Sequence, residues 1–130
     1  MKFLLVFFLL FPLFVYCGCE DGDCENGYGI YVWRNGDTDP NSWNEGDKYV
    51  GQFYNGKMHG QGIFYKFNGD VYIGSFNNGL KDGYGTYTYK NGSKYVGEYL
   101  NNLRHGKGVV IDDKGVSYSG FFRIDRLIKD

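Results

Sequence analysis

Several features that common functions require are scarce in this sequence. The chain of 130 residues contains only 2 histidines and 2 prolines, and its formal net charge is −1. A nucleic-acid-binding domain normally carries a basic surface, which this balance of charges does not supply. No serine or cysteine occurs in a recognisable nucleophile motif, and no phosphate-cradling loop precedes a helix. The sequence therefore predicts a protein that is not an enzyme, needs no cofactor, and binds neither nucleic acid nor nucleotides.

The sequence also lacks an apolar run of the roughly 20 residues that a membrane-spanning helix needs. Its longest run, over residues 3–16, is shorter, contains Pro12 and follows Lys2. A positive residue before a short apolar run is typical of a secretory signal peptide. We predict a signal peptide over residues 1–16, or extending to residue 18, with an uncleaved membrane anchor as the alternative. The protein would then be exported, and located in the cell envelope, anchored to a membrane or secreted.

The chain has only 3 cysteines, all within residues 17–25, a segment that we interpret as an N-terminal linker or cap. Export would place them in an oxidising compartment, and an odd number leaves one thiol with another fate. The junction FVYCGC resembles a bacterial lipoprotein box, which makes Cys17 and Cys19 candidates for a lipid anchor. Gly18 suits lipidation of Cys19, whereas lipidation of Cys17 would leave Cys19 and Cys24 to form a disulfide. Both sites stay open, as does cleavage without a lipid.

Glycine, by contrast, is abundant, and its spacing defines the architecture. The 21 glycines do not recur at every third position, which excludes collagen, and 20% aromatic residues exclude a disordered chain. Tyr49, Tyr72, Tyr95 and Tyr118 are each 23 residues apart, and several columns of glycines share that period. One period shared by independent columns indicates a tandem repeat.

The repeat array is predicted over residues 26–122. It begins with a half repeat that carries an inserted loop at 38–47, continues with repeats starting at residues 49, 72 and 95, and ends with a partial repeat from residue 118. Residues 123–130 depart from the pattern and are expected to cap the array. We expect Leu127 and Ile128 to fold back over the last strand, with a short helical turn as the alternative.

Alternating side chains within each repeat indicate two short antiparallel strands, which gives about eight strands in all. The glycines in these strands would normally weaken a sheet. A ring can lie flat on a sheet only where its cross-strand neighbour has no side chain. We therefore expect rings such as Tyr49, Phe53 and Phe64 to lie over the bare backbone of Gly51 and Gly62. The array would then bury its rings against backbone and not against a second layer.

Two kinds of connection alternate along the array. Asn68-Gly69 and Asn91-Gly92 predict two-residue hairpin turns in which both residues have positive φ. The connection that begins at Asn55-Gly56 and runs to Gly60 is expected to be longer.

The repeated segments follow the pattern Y-x-G-x-[FY]-x-N-G-x-x-x-G-x-G-x-[FY], which resembles the MORN repeat. It reads YVGQFYNGKMHGQGIF from Tyr49, YIGSFNNGLKDGYGTY from Tyr72 and YVGEYLNNLRHGKGVV from Tyr95. The third copy departs from it at Asn102 and Val110, and the last copy is only YSGFF. The resemblance rests on phased aromatic residues and glycines: Tyr49, Gly51, Phe53, Gly60, Gly62, Phe64, Tyr72, Gly74, Phe76, Gly83, Gly85, Tyr87, Tyr95, Gly97, Tyr99, Gly106, Gly108, Tyr118 and Gly120.

The resemblance implies an all-β fold, namely an elongated single-layer twisted antiparallel sheet of tandem β-hairpins. It also implies a scaffold or attachment module, often near membranes, that performs no catalysis. Such a module binds a protein partner or itself. The leader with CEDGDCENGYG resembles that of secreted bacterial members of the family.

The face of the sheet opposite the rings is a candidate partner surface. Its apolar side chains are Val50, Ile63, Tyr65, Ile73, Val96, Val109 and Ile111. A single layer leaves such residues uncovered, and a large exposed apolar patch usually marks a partner site. The alternative is that β-branched residues serve only strand formation. Thr86, Thr88, Glu98 and Ser119 interrupt the patch, and both interpretations stay open.

A different hypothesis is a surface protein that binds carbohydrate or lipid headgroups. Trp33, Trp43 and the tyrosine rows could stack on sugar rings. A weakly basic rim of Lys57, Lys81, Arg104, Lys107 and both histidines could meet anionic headgroups. Since these cations are sparse and Asp82 lies among them, we predict little binding to anionic vesicles.

The two histidines do not predict a metal site. His59 and His105 share one repeat phase but are separated by about four strands, or roughly 19 Å at about 4.8 Å per strand. A zinc ion bound by both histidines would need an imidazole nitrogen of each within about 2 Å of the metal. Asp82 lies between them in the same phase and is too far from either.

Overall fold

The described part of the protein consists of β-strands, most of them joined by short turns. In this computed structural model the described residues are 18–34, 37 and 44–128, so the expected signal peptide, Cys17, Trp43 and most of the loop 38–47 lie outside them. The strands are β1 (Cys19–Gly22), β2 (Tyr28–Val32), β3 (Lys48–Tyr54), β4 (Lys57–Tyr65), β5 (Val71–Asn77), β6 (Leu80–Thr88), β7 (Lys94–Leu100), β8 (Leu103–Ile111), β9 (Ser117–Arg123) and β10 (Arg126–Ile128).

All ten strands belong to one antiparallel sheet in which spatial order follows chain order. Each strand pairs with the strand that follows it in the chain, in the antiparallel direction. The prediction of a single-layer all-β sheet of tandem hairpins is confirmed. The expected number of about eight strands is too low, since β1 and β10 extend the sheet at its two ends.

The C-terminal segment forms the strand β10 and not a helical turn, so that alternative is wrong. Ile124 and Asp125 have positive φ, 49° and 62°, which reverses the chain directly after β9. Leu127 pairs with Phe122 across this hairpin. Its side chain lies over Gly120, where an added Cβ would be 2.5 Å from Leu127 Cδ1. Leu127 therefore folds back over the last repeat strand as expected, whereas Ile128 pairs with Phe121 and is 44% exposed.

The tight two-residue turns occur where the sequence analysis expects the longer connection. Asn55 and Gly56 both have positive φ, 48° and 71°, and they join the paired residues Tyr54 and Lys57. The same geometry recurs at Asn78-Gly79 and Asn101-Asn102. The prediction for this connection is therefore wrong.

At Asn68-Gly69 only the glycine has positive φ, at 99°. Lys66 N donates a hydrogen bond to Asp70 O, which closes a three-residue loop around this pair. The Asn68 side chain accepts a hydrogen bond from Asp70 N at 3.0 Å, and this local bond favours the wider loop over the two-residue turn. The predicted two-residue turn is wrong here for that reason.

One face of the sheet, which we call the inner face, carries the core. Tyr49, Tyr72 and Tyr95 are fully or almost fully buried on it although the sheet has a single layer. A Cβ added at Gly62 would lie 2.3 Å from the Tyr49 ring, so the ring rests on bare backbone. Gly85 and Gly108 provide the same floor for the next two tyrosines, with the nearest ring atom 2.5 Å from an added Cβ in both cases. The predicted ring-over-glycine packing is confirmed for these tyrosines.

Each of these tyrosine rings is also held by edge-to-face contacts. Tyr49 packs against Phe53 of its own repeat and Phe76 of the next, both with ring centroids 5.1 Å apart. Its hydroxyl donates a hydrogen bond to Gln52 O at 2.9 Å. Tyr72 repeats these contacts with Phe76 and Tyr99, at 5.1 Å and 5.2 Å. The rings therefore join each repeat to the next, as the offset aromatic pairs of a protein core do.

Gly60 has a different role from the glycines that support rings. The register between β3 and β4 shifts between Gly51 and Phe53, opposite this residue. Gly60 has φ of 63° there, a conformation that other residues rarely adopt. The repeat therefore uses glycine both for a floor under rings and for a bulge in every second strand.

Aspartate side chains connect neighbouring loops at one end of the strands. Asp47 is fully buried and accepts hydrogen bonds from Phe67 N at 2.8 Å and Asn44 N at 3.0 Å. In the next repeat, Asp70 accepts hydrogen bonds from Lys90 N at 2.9 Å and the Tyr87 hydroxyl at 2.8 Å. Burial alone would raise the pKa of Asp70, but these hydrogen bonds outweigh it and lower the pKa below its usual range.

Candidate functional site

The face opposite the rings, which we call the outer face, carries a continuous row of cross-strand neighbours. Val50 pairs with Ile63, and Ile63 pairs with Ile73. Further along the sheet, Val96 pairs with Val109. Thr86 lies between Ile73 and Val96 and supplies a methyl group to the same row. Five of the seven residues expected on the partner face therefore form one row, which we call the aliphatic row.

The other two residues lie in a neighbouring row of the outer face and far from one another. Tyr65 pairs with Lys48, whose Nζ lies 4.6 Å from the centroid of the tyrosine ring. Ile111 pairs with Lys94, four strands along the sheet from Tyr65. The structure therefore does not unite all seven predicted residues into one patch.

Exposure differs along the aliphatic row. Ile73 is 54% exposed, whereas Val50, Ile63, Val96 and Val109 are half-buried by their neighbours. Side chains from the same sheet provide this partial cover, since all the strands of the described part lie in one layer. Ile73 is thus the most accessible aliphatic side chain at the middle of the sheet.

Three exposed tyrosines that were not among the predicted partner residues flank this row. Tyr28, Tyr54 and Tyr84 are each more than half exposed. Tyr28 pairs with Gln52 and Tyr84 pairs with Glu98, positions that alternation assigns to the outer face. Counting alternate residues from Val50 would have found Tyr54, so the signal was present in the sequence.

The predicted basic rim does not form one surface. Lys57, His59, His105 and Lys107 occupy alternate positions that face outward on β4 and β8. Lys81 pairs with Phe76, and Arg104 pairs with Tyr99, so both are on the inner face with the rings. The structure corrects this part of the headgroup hypothesis, because the tight turns before Leu80 and Leu103 place these two residues within strands, in phase with the inner residues.

Lys81 lies among aromatic rings. Its Nζ is 4.9 Å from the Tyr87 centroid, 5.3 Å from the Tyr99 centroid and 5.5 Å from the Tyr72 centroid. Burial lowers the pKa of Lys81 to about 8, and the positive charge of Lys66 acts in the same direction. The side chain is therefore an ammonium group with little compensation from the protein around it.

Arg104, one repeat further on, has a carboxylate partner. Its Nε lies 3.2 Å from Asp125 Oδ1, and its Nη2 donates a hydrogen bond to Asp125 O at 2.8 Å. The guanidinium carbon is 5.5 Å from the Tyr95 centroid and 5.3 Å from the Phe122 centroid. The Arg104 guanidinium is thus paired with a carboxylate, donates a hydrogen bond to a carbonyl oxygen and lies near two rings. Lys81 has the rings but no paired carboxylate in the described part of the chain.

The aromatic residues proposed for sugar stacking are not available as expected. Trp33 is only 6% exposed, and its ring packs against Tyr31 at 4.8 Å and Phe64 at 5.5 Å. The expectation that Trp33 is exposed is therefore wrong, because the first half repeat uses it as a core residue. The core tyrosines of the later repeats are likewise covered, and Trp43 lies outside the described residues.

Cys19 and Cys24 are joined by a disulfide, with their Cα atoms 6.1 Å apart. Cys17, the other lipid-anchor candidate, lies outside the described residues. The two histidines lie on β4 and β8, four strands apart in the sheet. Within residues 18–34, 37 and 44–128, no three His, Cys, Asp or Glu side chains are grouped so that they could hold a metal ion.

No helix long and apolar enough to cross a bilayer occurs in the part of the chain that the structure describes.

The fold and its repeating contacts define a β-hairpin repeat protein. Residues 25–38, 49–71, 72–94 and 95–116 match the family model of the MORN repeat. These segments cover more than half of the chain, so the protein belongs to the MORN-repeat family, and the resemblance seen in the sequence is confirmed. MORN repeats commonly serve as modules for interaction with proteins or membranes. A comparison with curated proteins found no match.

Proposed function

We propose that this chain is a non-catalytic scaffold or attachment module that holds a protein partner, or a second copy of itself, on its outer face. The observation that supports this most strongly is the aliphatic row, with Ile73 exposed at its middle. Apolar area of this kind gains free energy when a partner removes it from water. The family's usual role as an interaction module points the same way.

The inner face is less suited to a large partner. Its rings are already buried against glycine backbone and against each other. A partner protein there would add little apolar burial, whereas on the outer face it would cover side chains that are exposed or half-buried. The outer face is therefore the surface to which we assign the partner.

We further propose that the protein acts outside the cytoplasm and near a membrane. The short apolar run that follows Lys2 supports export. Because Cys19 and Cys24 are joined, Cys17 is the cysteine we favour for a lipid anchor. Intact mass of the membrane-extracted protein tests both points. A mass that includes residues 1–16, or a lipid on Cys19, would contradict this assignment.

Light scattering on the exported domain tests the outer face. We expect Ile73→Asp to reduce the molar mass of a self-associated species, or to abolish a complex with a purified partner, because a carboxylate would be buried in the contact. Val116→Asp is the matched control, since Val116 is 57% exposed, close to the 54% of Ile73, but lies in the turn before β9. An Ile73→Asp variant that associates like the control would overturn the assignment.

A further inference from the structure

Lys81 stands at an inner-face position that carries no charge in the preceding repeat or in the C-terminal hairpin, although Arg104 occupies it one repeat later. The residue 23 positions earlier is Met58, which is buried and pairs with Phe53. The residue two repeats later is Leu127, which covers Gly120. Methionine and leucine at this position form the same hairpin, so packing alone does not explain a lysine.

The residues around Lys81 differ from those around Met58 in a coordinated way. Tyr87 stands where the earlier repeat has Phe64, and Tyr99 stands where it has Phe76. The ammonium group is thus surrounded by rings that carry hydroxyl groups, and no carboxylate in the described part of the chain lies within ion-pairing distance of it. Several phased positions have become more polar together.

These residues border an open cleft with a volume of about 250 Å³. It is lined by Lys81, Tyr87, Tyr89, Tyr99, Asn102, Arg104 and Asp125. Asn102 is fixed beside Lys81, because its Oδ1 accepts a hydrogen bond from Lys81 N at 2.8 Å and its own N donates to Lys81 O at 2.9 Å. The side-chain nitrogen of Asn102, Nδ2, has no hydrogen-bond partner among the described residues and can donate to a ligand.

The charges at the cleft favour a singly charged anion. Asp125 is already paired with Arg104, which leaves the ammonium of Lys81 as the uncompensated charge. A carboxylate matches one positive charge and can also accept a hydrogen bond from an amide such as Asn102. Three tyrosine rings at the same cleft can contact a flat or ring-shaped body attached to that carboxylate.

We propose that this cleft, which we call the Lys81 cleft, binds a small organic monoanion whose carboxylate pairs with Lys81 and whose ring lies against the tyrosines. Benzoate and sugar acids have this chemistry, and a volume of about 250 Å³ accommodates a single ring. The site lies on the inner face, so it is independent of the partner surface assigned to the aliphatic row.

The lowered pKa of Lys81 gives the site a pH signature. The other charged groups near the amine are Lys66, Asp70, Arg104 and Asp125. Tyr87 and Tyr99 stay neutral there because burial raises the pKa of each. Affinity for a carboxylate should therefore fall as pH rises through about 8, where Lys81 loses its proton.

Titration calorimetry with sodium benzoate on the disulfide-bonded chain tests the proposal. We expect weak but measurable binding at pH 7, and a loss of at least about tenfold in affinity at pH 9.5. Lys81→Met, which installs the side chain that the preceding repeat already packs, should weaken binding by about tenfold or more. Lys114→Met removes one exposed turn charge and should leave the affinity unchanged.

Comparison ligands separate this proposal from simpler ones. Benzyl alcohol, which has the ring without the charge, and acetate, which has the charge without the ring, should each bind at least about tenfold more weakly than benzoate. Inorganic phosphate that binds more tightly than benzoate would show an oxyanion site and overturn the proposal. So would benzoate that fails to bind, or that binds equally to Lys81→Met. If Lys81→Met fails to fold, the pH series on the wild-type chain decides, and an unchanged affinity at pH 9.5 would overturn the proposal.

Discussion

The inner and outer faces of this sheet are built by alternate residues of the same strands, yet they differ in what constrains them. On the inner face, Tyr72 is buried over Gly85, and a Cβ added at Gly85 would lie 2.3 Å from its hydroxyl oxygen. One residue further along β5, Ile73 is 54% exposed on the outer face. The inner positions therefore hold the fold together, and the outer positions are free to suit a partner. Lys81 is an exception, because it is an inner residue that the fold does not need.

The largest effect should come from removing an inner ring. We expect Tyr95→Ala to lower the free energy of unfolding by about 3–5 kcal/mol, since it leaves a cavity above Gly108 and deletes contacts with Tyr99 and Phe122. Tyr118→Ala changes the same repeat position, but Tyr118 is 52% exposed and should cost under about 1 kcal/mol. Urea denaturation of both variants measures the difference. Equal losses would contradict the division into faces.

Adding a single methyl group to the floor should have a smaller but clear cost. A Cβ at Gly97 would lie 2.6 Å from backbone atoms of Lys107 and Gly108, which cannot move without separating the strands. We expect Gly97→Ala to cost about 2–3 kcal/mol. At Gly120, in the same repeat phase, the nearest atom is the flexible Leu127 Cδ1, so Gly120→Ala should cost about 1 kcal/mol or less. Denaturation midpoints that coincide would argue against a rigid floor.

Replacing Lys81 should stabilise the protein at neutral pH. The pKa of Lys81 is lowered to about 8 in the folded state, whereas an unfolded lysine titrates near 10.4. Below pH 8 Lys81 is protonated in both the folded and the unfolded state. The free energy of unfolding is then reduced by the full cost of a partly buried charge. Between about 8 and 10.4 the unfolded state binds more protons, so wild-type stability rises with pH. Lys81→Met should gain about 1–2 kcal/mol at pH 7, after allowance for solvent at this partly buried side chain.

That gain should shrink when the same denaturation is repeated at pH 9.5. Measurements should stay below about pH 10, because the buried tyrosines begin to lose stability above the pKa of an unfolded tyrosine. Burial raises the pKa of these tyrosines in the folded state, to about 12 for Tyr95. The stability of the folded state therefore falls as the pH rises from about 10 to about 12. A gain that is independent of pH would exclude titration of Lys81 as its cause.

The smallest stability effect is expected on the outer face. Ile73→Asp should cost under about 1 kcal/mol, mainly through the low strand propensity of aspartate, even if it abolishes association. Phe76→Asp on the same strand would place a carboxylate at a position that is 3% exposed and should prevent folding. Circular dichroism of the two variants separates these outcomes. Loss of the fold in Ile73→Asp would show that the outer face is also structural.

Much of this fold can be predicted from the sequence because the same aromatic and glycine positions recur in each repeat. The phase of Tyr49 and Gly62 predicted both the single layer and the ring over the glycine. The hairpin before β10 could not be predicted in this way, since Ile124 and Asp125 take positive φ without the glycine that usually marks it. β1 likewise lacks the repeat pattern, because its short sequence CEDG pairs only with β2.

The candidate sites were less predictable than the fold. Alternation placed Ile63, Ile73 and their row correctly on one face, because a strand has a period of two residues. The basic-rim hypothesis placed Lys81 in a long connection, whereas the tight turn at Asn78-Gly79 puts it in β6, in the same phase as Tyr87. Comparison with Met58 in the preceding repeat would have revealed it as an inner residue.

The contact between a ring and bare backbone is tested most directly by a double-mutant cycle at Tyr72 and Gly85. The three atoms nearest to a Cβ added at Gly85 all belong to the Tyr72 side chain, at 2.3–2.5 Å. Tyr72→Leu supplies a side chain that can shift, as Leu127 does over Gly120. Urea denaturation should show that Gly85→Ala costs at least about 1 kcal/mol less in the Tyr72→Leu background than in the wild type. Additive losses would mean that the ring does not rest on this glycine, and would contradict the account.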